Sequence, residues 1–171
     1  MQGQIGAFAR VAVNVDVYGF EKDAIQSIED YWRMQRRRAL GKVTVYHDRG
    51  HNLAVNSGLD AIAALTVNAG TTYARYTGVG TSSSAASASQ TALLAETGSR
   101  VQGSGYYVST GTARLDSFYG AGDANATWNE VGLFSASASG TMFARRVLST
   151  AFVKATTNAA VIAWQLTFVG V

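Results

Sequence analysis

The sequence predicts a mainly β fold: an antiparallel β-sandwich or jelly-roll-like body with an N-terminal strand plus a long helix and a second short helix. Three observations lead there. Residues 8–17, FARVAVNVDV, alternate with period two. Residues 21–40 repeat with a helical period. Beyond about residue 70, short alternating segments recur between clusters of Gly, Asn and Ser.

In 8–17, Val11, Val13, Val15 and Val17 fall on one side and Arg10, Ala12, Asn14 and Asp16 on the other, as in a strand with one buried face. YGF (18–20) breaks that alternation. From Glu21 to Leu40, Ile25, Ile28, Trp32, Gln35 and Ala39 follow steps of three and four, giving one apolar stripe. Glu21 and Asp23 near the start and Arg36, Arg37, Arg38 and Lys42 near the end oppose the helix dipole. Glu29 and Arg33 form an i,i+4 pair, and Gly41 is the expected stop. KVTVYH (42–47) reads as a strand and HDRGHN as a turn. VNSGLDAIAALT (55–66) reads as a short helix capped by Asn56 or Ser57, with Leu59, Ile62 and Leu65 facing inward.

The β-rich remainder contains TYARYTGV, RVQGSGYYVST, TARLDSFYG, ATWNEVGLFS, TMFARRVLS and AAVIAWQLTFV, spaced as in a sandwich or barrel. In the last, Ile162, Trp164, Leu166 and Phe168 share the expected core face. SSSAASASQ (82–90) is low-complexity and reads as an exposed loop before a brief helical turn at TALLAE. The resulting division is a strand–helix anchoring element at 1–45 and a β-sandwich body at 46–171.

Composition narrows the function classes. The 171 residues include no cysteine, which excludes disulfide frameworks, thiolate metal sites and cysteine nucleophiles, and no proline. No apolar run approaches the ~18 residues of a spanning helix, so no membrane partner is expected. MQGQIGAFAR lacks the basic start and apolar core expected of a signal peptide. Net charge is +3, but only 15% of residues are charged, and residues 61–171 hold just six basic and four acidic side chains. A sparsely charged, hydroxyl-rich exterior suits a subunit covered by neighbours. Arginine outnumbers lysine eleven to three, and eight tyrosines and three tryptophans add residue types that anchor interfaces.

Motifs for chemistry are thin. Gly78 and Gly80 in YTGVGTSS lack the lysine and following helix of a phosphate loop and read as a strand end. His47, Asp48 and His51 lack a third metal ligand of the usual kind, so Asp48 reads as a turn residue bonding local backbone. A carboxylate pair for glycoside chemistry would have to come from Glu96, Asp116, Asp123 and Glu130. Of these, Asp123 reads as a turn residue and Glu130 as a strand residue with an arginine partner. Arg36, Arg37 and Arg38 form the one basic cluster, but Glu21, Asp23, Glu29 and Asp30 on the same segment offset its field, so nucleic acid is not the expected main partner.

HNLAVNSGLDAIAALT (51–66), RYTGVGTSSSAASASQTALLAE (75–96), ATWNEVGLFSASASGTMFARRVLS (126–149) and VIAWQLTF (161–168) occur in an order that resembles a group of small β-rich bacteriophage virion structural proteins of tail-fibre-like type. The resemblance covers about residues 50–169 and is carried by the GLD-x-I-A, G-x-G-T and E-V-G-L-F segments. It implies location in a virion and no catalytic residues to transfer. The expectation is therefore a non-enzymatic homo-oligomer, a trimer or ring, in the tail, collar or fibre-base region, bound to other virion proteins and without a cofactor. Ile25, Ile28, Trp32, Arg36, Arg37 and Arg38 are its candidate interface. A capsid decoration protein is the alternative. A host-glycan-binding module is a second alternative, with Tyr106, Tyr107 and Tyr119 as the aromatic concentration it would use.

Overall fold

The computed structural model describes residues 10–169. Residues 8 and 9 of the first expected strand lie outside them. Among the described residues the protein is mainly β, with two antiparallel sheets and two short α-helices. One sheet has the order β2-β1-β10-β7-β6, from β1 (Arg10–Glu21), β2 (Thr44–His51), β6 (Ser104–Ser109), β7 (Thr112–Tyr119) and β10 (Asn158–Val169). The other has the order β3-β9-β8-β4-β5, from β3 (Leu53–Ala54), β4 (Tyr76–Gly80), β5 (Glu96–Gln102), β8 (Ala126–Phe134) and β9 (Met142–Lys154). Val13, Val15, Val17, Leu115, Ile162 and Trp164 of the first sheet share an apolar core with Val79, Trp128, Val131, Leu133 and Leu148 of the second.

β1 is hydrogen-bonded along both edges, to β10 from Arg10↔Val169 to Glu21↔Asn158 and to β2 on the other side. The strand of the expected 1–45 element is thus built into the sheet. It also continues through YGF, past the break read from the pattern, because the buried face changes. Val13, Val15 and Val17 face the second sheet, whereas Tyr18 and Phe20 face a separate cluster beneath α1.

The long helix is a correction. α1 spans only Ile28–Arg36, nine residues, because Glu21 still belongs to β1 and the next residues turn: Lys22 N–H donates to Thr157 O and Ala24 N–H to Glu21 O. Ser27 is the cap, its Oγ accepting from Asp30 N–H at 3.1 Å. The helix stops well before Gly41, with Arg38 in the left-handed region at φ 54°. Asp30, rather than Glu29, pairs with Arg33, at 3.1 Å.

The expected turn HDRGHN is also a correction: Asp48 to His51 continue β2, paired with β1 as far as Asn14↔His51. The chain crosses between sheets at Asn52, whose N–H still bonds Val13 O before Leu53 pairs with Arg145 in the second sheet.

α2 (Asn56–Thr66) lies where the sequence places it, but turned. Val55 holds the cap position without a side-chain bond, and Ser57 Oγ instead donates to Met142 O at 2.9 Å. Gly58 faces inward, so close to β9 that an added Cβ would lie 2.4 Å from Phe143 Cα. Ala61 and Ile62 join the core, while Leu59 and Leu65 are 40% and 38% exposed rather than inward. Phe168 likewise departs from the expected core face at 43% exposed. TALLAE forms no helical turn and leads directly into β5 at Glu96.

Asp48 spans the layers, bonding the Arg146 guanidinium and accepting from Ser149 N–H at 2.6 Å and Ser149 Oγ at 2.8 Å. Burial alone would raise its pKa, but the Ser149 bonds and the Arg146 charge hold it below the ordinary carboxylate value. A depressed folded-state pKa contributes stability that is fully present above the unfolded value of about 3.9 and is lost as pH falls through the folded value. The urea midpoint should therefore drop on acidification below about pH 4. Asp48→Asn should lower stability near neutral pH and flatten that acid limb, as urea titrations across the range would record.

Candidate interface around the first helix

The predicted interface residues divide into two groups. Ile25 is fully buried, and Ile28 and Trp32 pack with Phe20, Tyr31 and Val161 on the outer face of the first sheet. The apolar stripe is therefore covered by the chain's own strands. Arg36, Arg37 and Arg38 remain exposed at the helix end.

Beneath α1 lies a hydrogen-bonded cluster centred on Asp116. Antiparallel register sets Tyr106 opposite Arg114 and Ser104 opposite Asp116, and the two-residue spacing in RLD turns Arg114 and Asp116 to the same face. Asp116, buried in β7, accepts from Trp32 Nε1–H at 2.8 Å and from Tyr106 O–H at 3.2 Å through one oxygen, and from Arg114 Nε–H at 2.7 Å through the other. Arg114 also donates to Tyr31 Oη at 2.7 Å and, with the Gln35 amide turned to accept, to Gln35 Oε1 at 3.2 Å.

The electrostatics follow from burial and this one carboxylate. Burial, and then the Asp116 charge, push the Tyr106 phenol up to about 12, and burial likewise raises Tyr31. Burial works against the Arg114 cation, but the facing Asp116 outweighs it and raises the guanidinium above its usual value. Both phenols stay protonated at neutral pH, Tyr106 donating to Asp116 and Tyr31 accepting from Arg114. The arrangement holds the Trp32 and Tyr106 rings in place from behind.

Above the cluster, the last turn of α1 and β6 enclose an open cleft of about 400 Å³ lined by Trp32, Gln35, Arg36, Gly105 and Tyr106. The Trp32 and Tyr106 rings meet edge to face, 5.9 Å apart at 87°. Tyr107, next along the edge strand, is exposed on the opposite face of the sheet from Tyr106 and does not line the cleft, and Tyr119 is buried, its hydroxyl donating to Thr77 O at 2.6 Å.

The other sequence candidates do not converge. His47 Nε2 lies 3.0 Å from Asp16 Oδ1 with its ring stacked on Tyr18, while Asp48, one residue on, points to the opposite face. Asp48 is thus a link between sheets and not the local turn residue expected. Among the described residues no group of three or more His, Asp or Glu is placed to hold a metal ion. Of the four acids in the β-rich part, Glu96 pairs with Arg100 at 2.5 Å, Glu130 with Arg145 at 2.6 Å, and Asp123 caps the Gly120 N–H at 2.7 Å. Gly78 and Gly80 lie in β4. The Asp116 cluster escaped sequence reading; the available signal was the R-x-D spacing inside an alternating strand.

No protein-family model, curated protein or solved structure matches this chain.

Trp32→Phe keeps most of the ring but removes the indole donor to a buried carboxylate. It should cost about 1.5–3 kcal/mol in urea unfolding, the range for a hydrogen bond to a charged group. A cost near zero would show that Asp116 does not depend on Trp32.

Proposed function

We propose that this chain is a non-enzymatic structural subunit of a bacteriophage virion, built on a β-sandwich body and assembled with copies of itself, as a trimer or ring, in the tail, collar or fibre-base region. The observation that carries the reading is the apolar exposure along α2 and its C-terminal end. Leu59, Leu65 and the following Val67 are exposed, and Asp60 is the helix's one charged side chain. Scattered exposed apolar residues are ordinary, but several on one short helix mark a surface that associates. A face with so little charge offers nothing to a charged partner and suits a sister copy.

Two further observations support it. The segments that resemble virion proteins lie close together: G-x-G-T ends β4, which pairs with the E-V-G-L-F segment of β8, and GLD-x-I-A lies in α2, packed against β9. The buried carboxylates Asp48, Asp116 and Glu130 each hold an arginine, so they are engaged in the fold.

Size-exclusion chromatography with light scattering should give a closed oligomer that Leu59→Glu with Leu65→Glu converts to a folded monomer. A wild-type monomer at all concentrations would overturn the reading. Antibody labelling of virions separates the tail location from the capsid-decoration alternative.

A further inference from the structure

We propose that the cleft between the last turn of α1 and β6 binds a carboxylate-bearing saccharide, with a sugar ring in the corner formed by Trp32 and Tyr106 and its carboxylate on Arg36. The inference gives a site and a ligand class to the glycan-binding alternative and is independent of self-assembly through α2.

The cleft's size falls within the ~300–1,000 Å³ of small-ligand pockets. Its walls are fixed in advance. The polar atoms of both rings are drawn back to the same Asp116 oxygen, so the rings present carbon surface outward without rotamer freedom to lose on binding. Their shape selects a ligand. Rings at 87° form a corner that accepts the C–H face and edge of a puckered pyranose, whereas a flat nucleobase is held best by parallel faces.

The polar groups select further. Arg33 is tied to Asp30 and Arg114 to Asp116, but the Arg36 side chain at the rim has no hydrogen bond or ion pair among the described residues. A free guanidinium binds a planar carboxylate with two parallel hydrogen bonds. Gln35, its oxygen turned to Arg114, keeps its NH₂ as a donor for a sugar hydroxyl.

The test is an array of acidic and neutral saccharides, followed by titration of bound structures with tryptophan emission as the readout. Trp128 and Trp164 are fully buried, so a change in emission reports on Trp32. Carboxylated saccharides should bind saturably and shift the emission. Carboxyl-reduced counterparts, and Arg36→Gln at its exposed position, should each weaken binding by about tenfold or more. Near-ultraviolet circular dichroism confirms that the variant is folded. Silence across the acidic saccharides, affinity unchanged in Arg36→Gln, or binding of ATP in place of any saccharide would each overturn the proposal. Since the oligomeric state is read separately, failure here leaves the assembly reading standing.

Discussion

Two consecutive arginines in the middle of β9 have to be buried, on opposite sides of the same sheet, and much of the architecture follows from how their charges are met. Arg145 points to the outer face of the second sheet and Arg146 into the space between the sheets. Arg145 Nε–H donates to Glu130 Oε2 at 2.6 Å, its remaining nitrogens donate to Gln90 Oε1 at 3.1 Å and Ser84 O at 2.9 Å, and Glu130 Oε1 accepts from Ala95 N–H at 2.8 Å. Every one of those partners but Glu130 lies in the segment between β4 and β5. The Ser- and Ala-rich stretch has little apolar surface of its own to bury; besides Leu93 in a small core cluster and the bond from Asn56 N–H to Ala88 O, what it closes over is a charge. Arg146 reaches Val15 O of the facing sheet at 3.1 Å as well as Asp48. Gly50 leaves the room it needs: a Cβ there would stand 2.8 Å from the guanidinium. Removing either side of such a pair strands a charge in low dielectric, which is why these groups specify geometry more than they add net stability.

The legible part of the fold was the part where burial on one face imposes a regular period, two in strands and about 3.6 in α2. The alternation of Val11 to Val17, the core face at Ile162 and Trp164, and the position of α2 were all readable because burial on one face imposes a pattern. What failed did so for a physical reason. The helical period across 21–40 blends the end of a strand, a turn and one short helix, since Phe20 and Ile25 are buried by the same cluster as Tyr31 although they belong to different local structures. The HDRGHN segment looks like a turn because its residues are polar, yet Asp48 faces inward where Arg146 waits for it. Leu59 and Leu65 looked inward by type, but Gly58, Ala61 and Ile62 make the contact with β9 and the core, and both leucines stay partly exposed. Of the charged residues inside strands, Glu130 with an arginine partner was legible, and Arg145 is that partner; the inward placement of Asp48 and Arg146 was not. Parity alone requires one of two adjacent arginines in a buried strand to enter the core, and Glu130 and Asp48 were the carboxylates able to receive them.

A division of labour follows. Asp48, Asp116 and Glu130 are buried and most arginines of the β-body are buried or partly buried, while Asp60, Glu96 and Asp123 stay exposed, leaving an exterior poor in charge and dominated by hydroxyl, amide and apolar groups. Two surfaces stand out against it: the exposed apolar side chains along α2 and its end, with Asp60 the helix's one charge, and the cleft beside α1, where Asp116 holds two aromatic rings from behind and Arg36 stands free at the rim. The first suits contact between copies and the second a small anionic ligand. They lie on helices packed on different sheets, so occupation of one leaves the other open.

The dependence of the 81–95 segment on a buried charge is the claim most directly open to measurement. Arg145→Met, followed by hydrogen–deuterium exchange and limited proteolysis, reads it. The account predicts fast exchange and new cleavage confined to 81–95, together with a loss of about 3–5 kcal/mol in unfolding free energy from the stranded Glu130. Unchanged protection of that segment in a fully stable variant would contradict it.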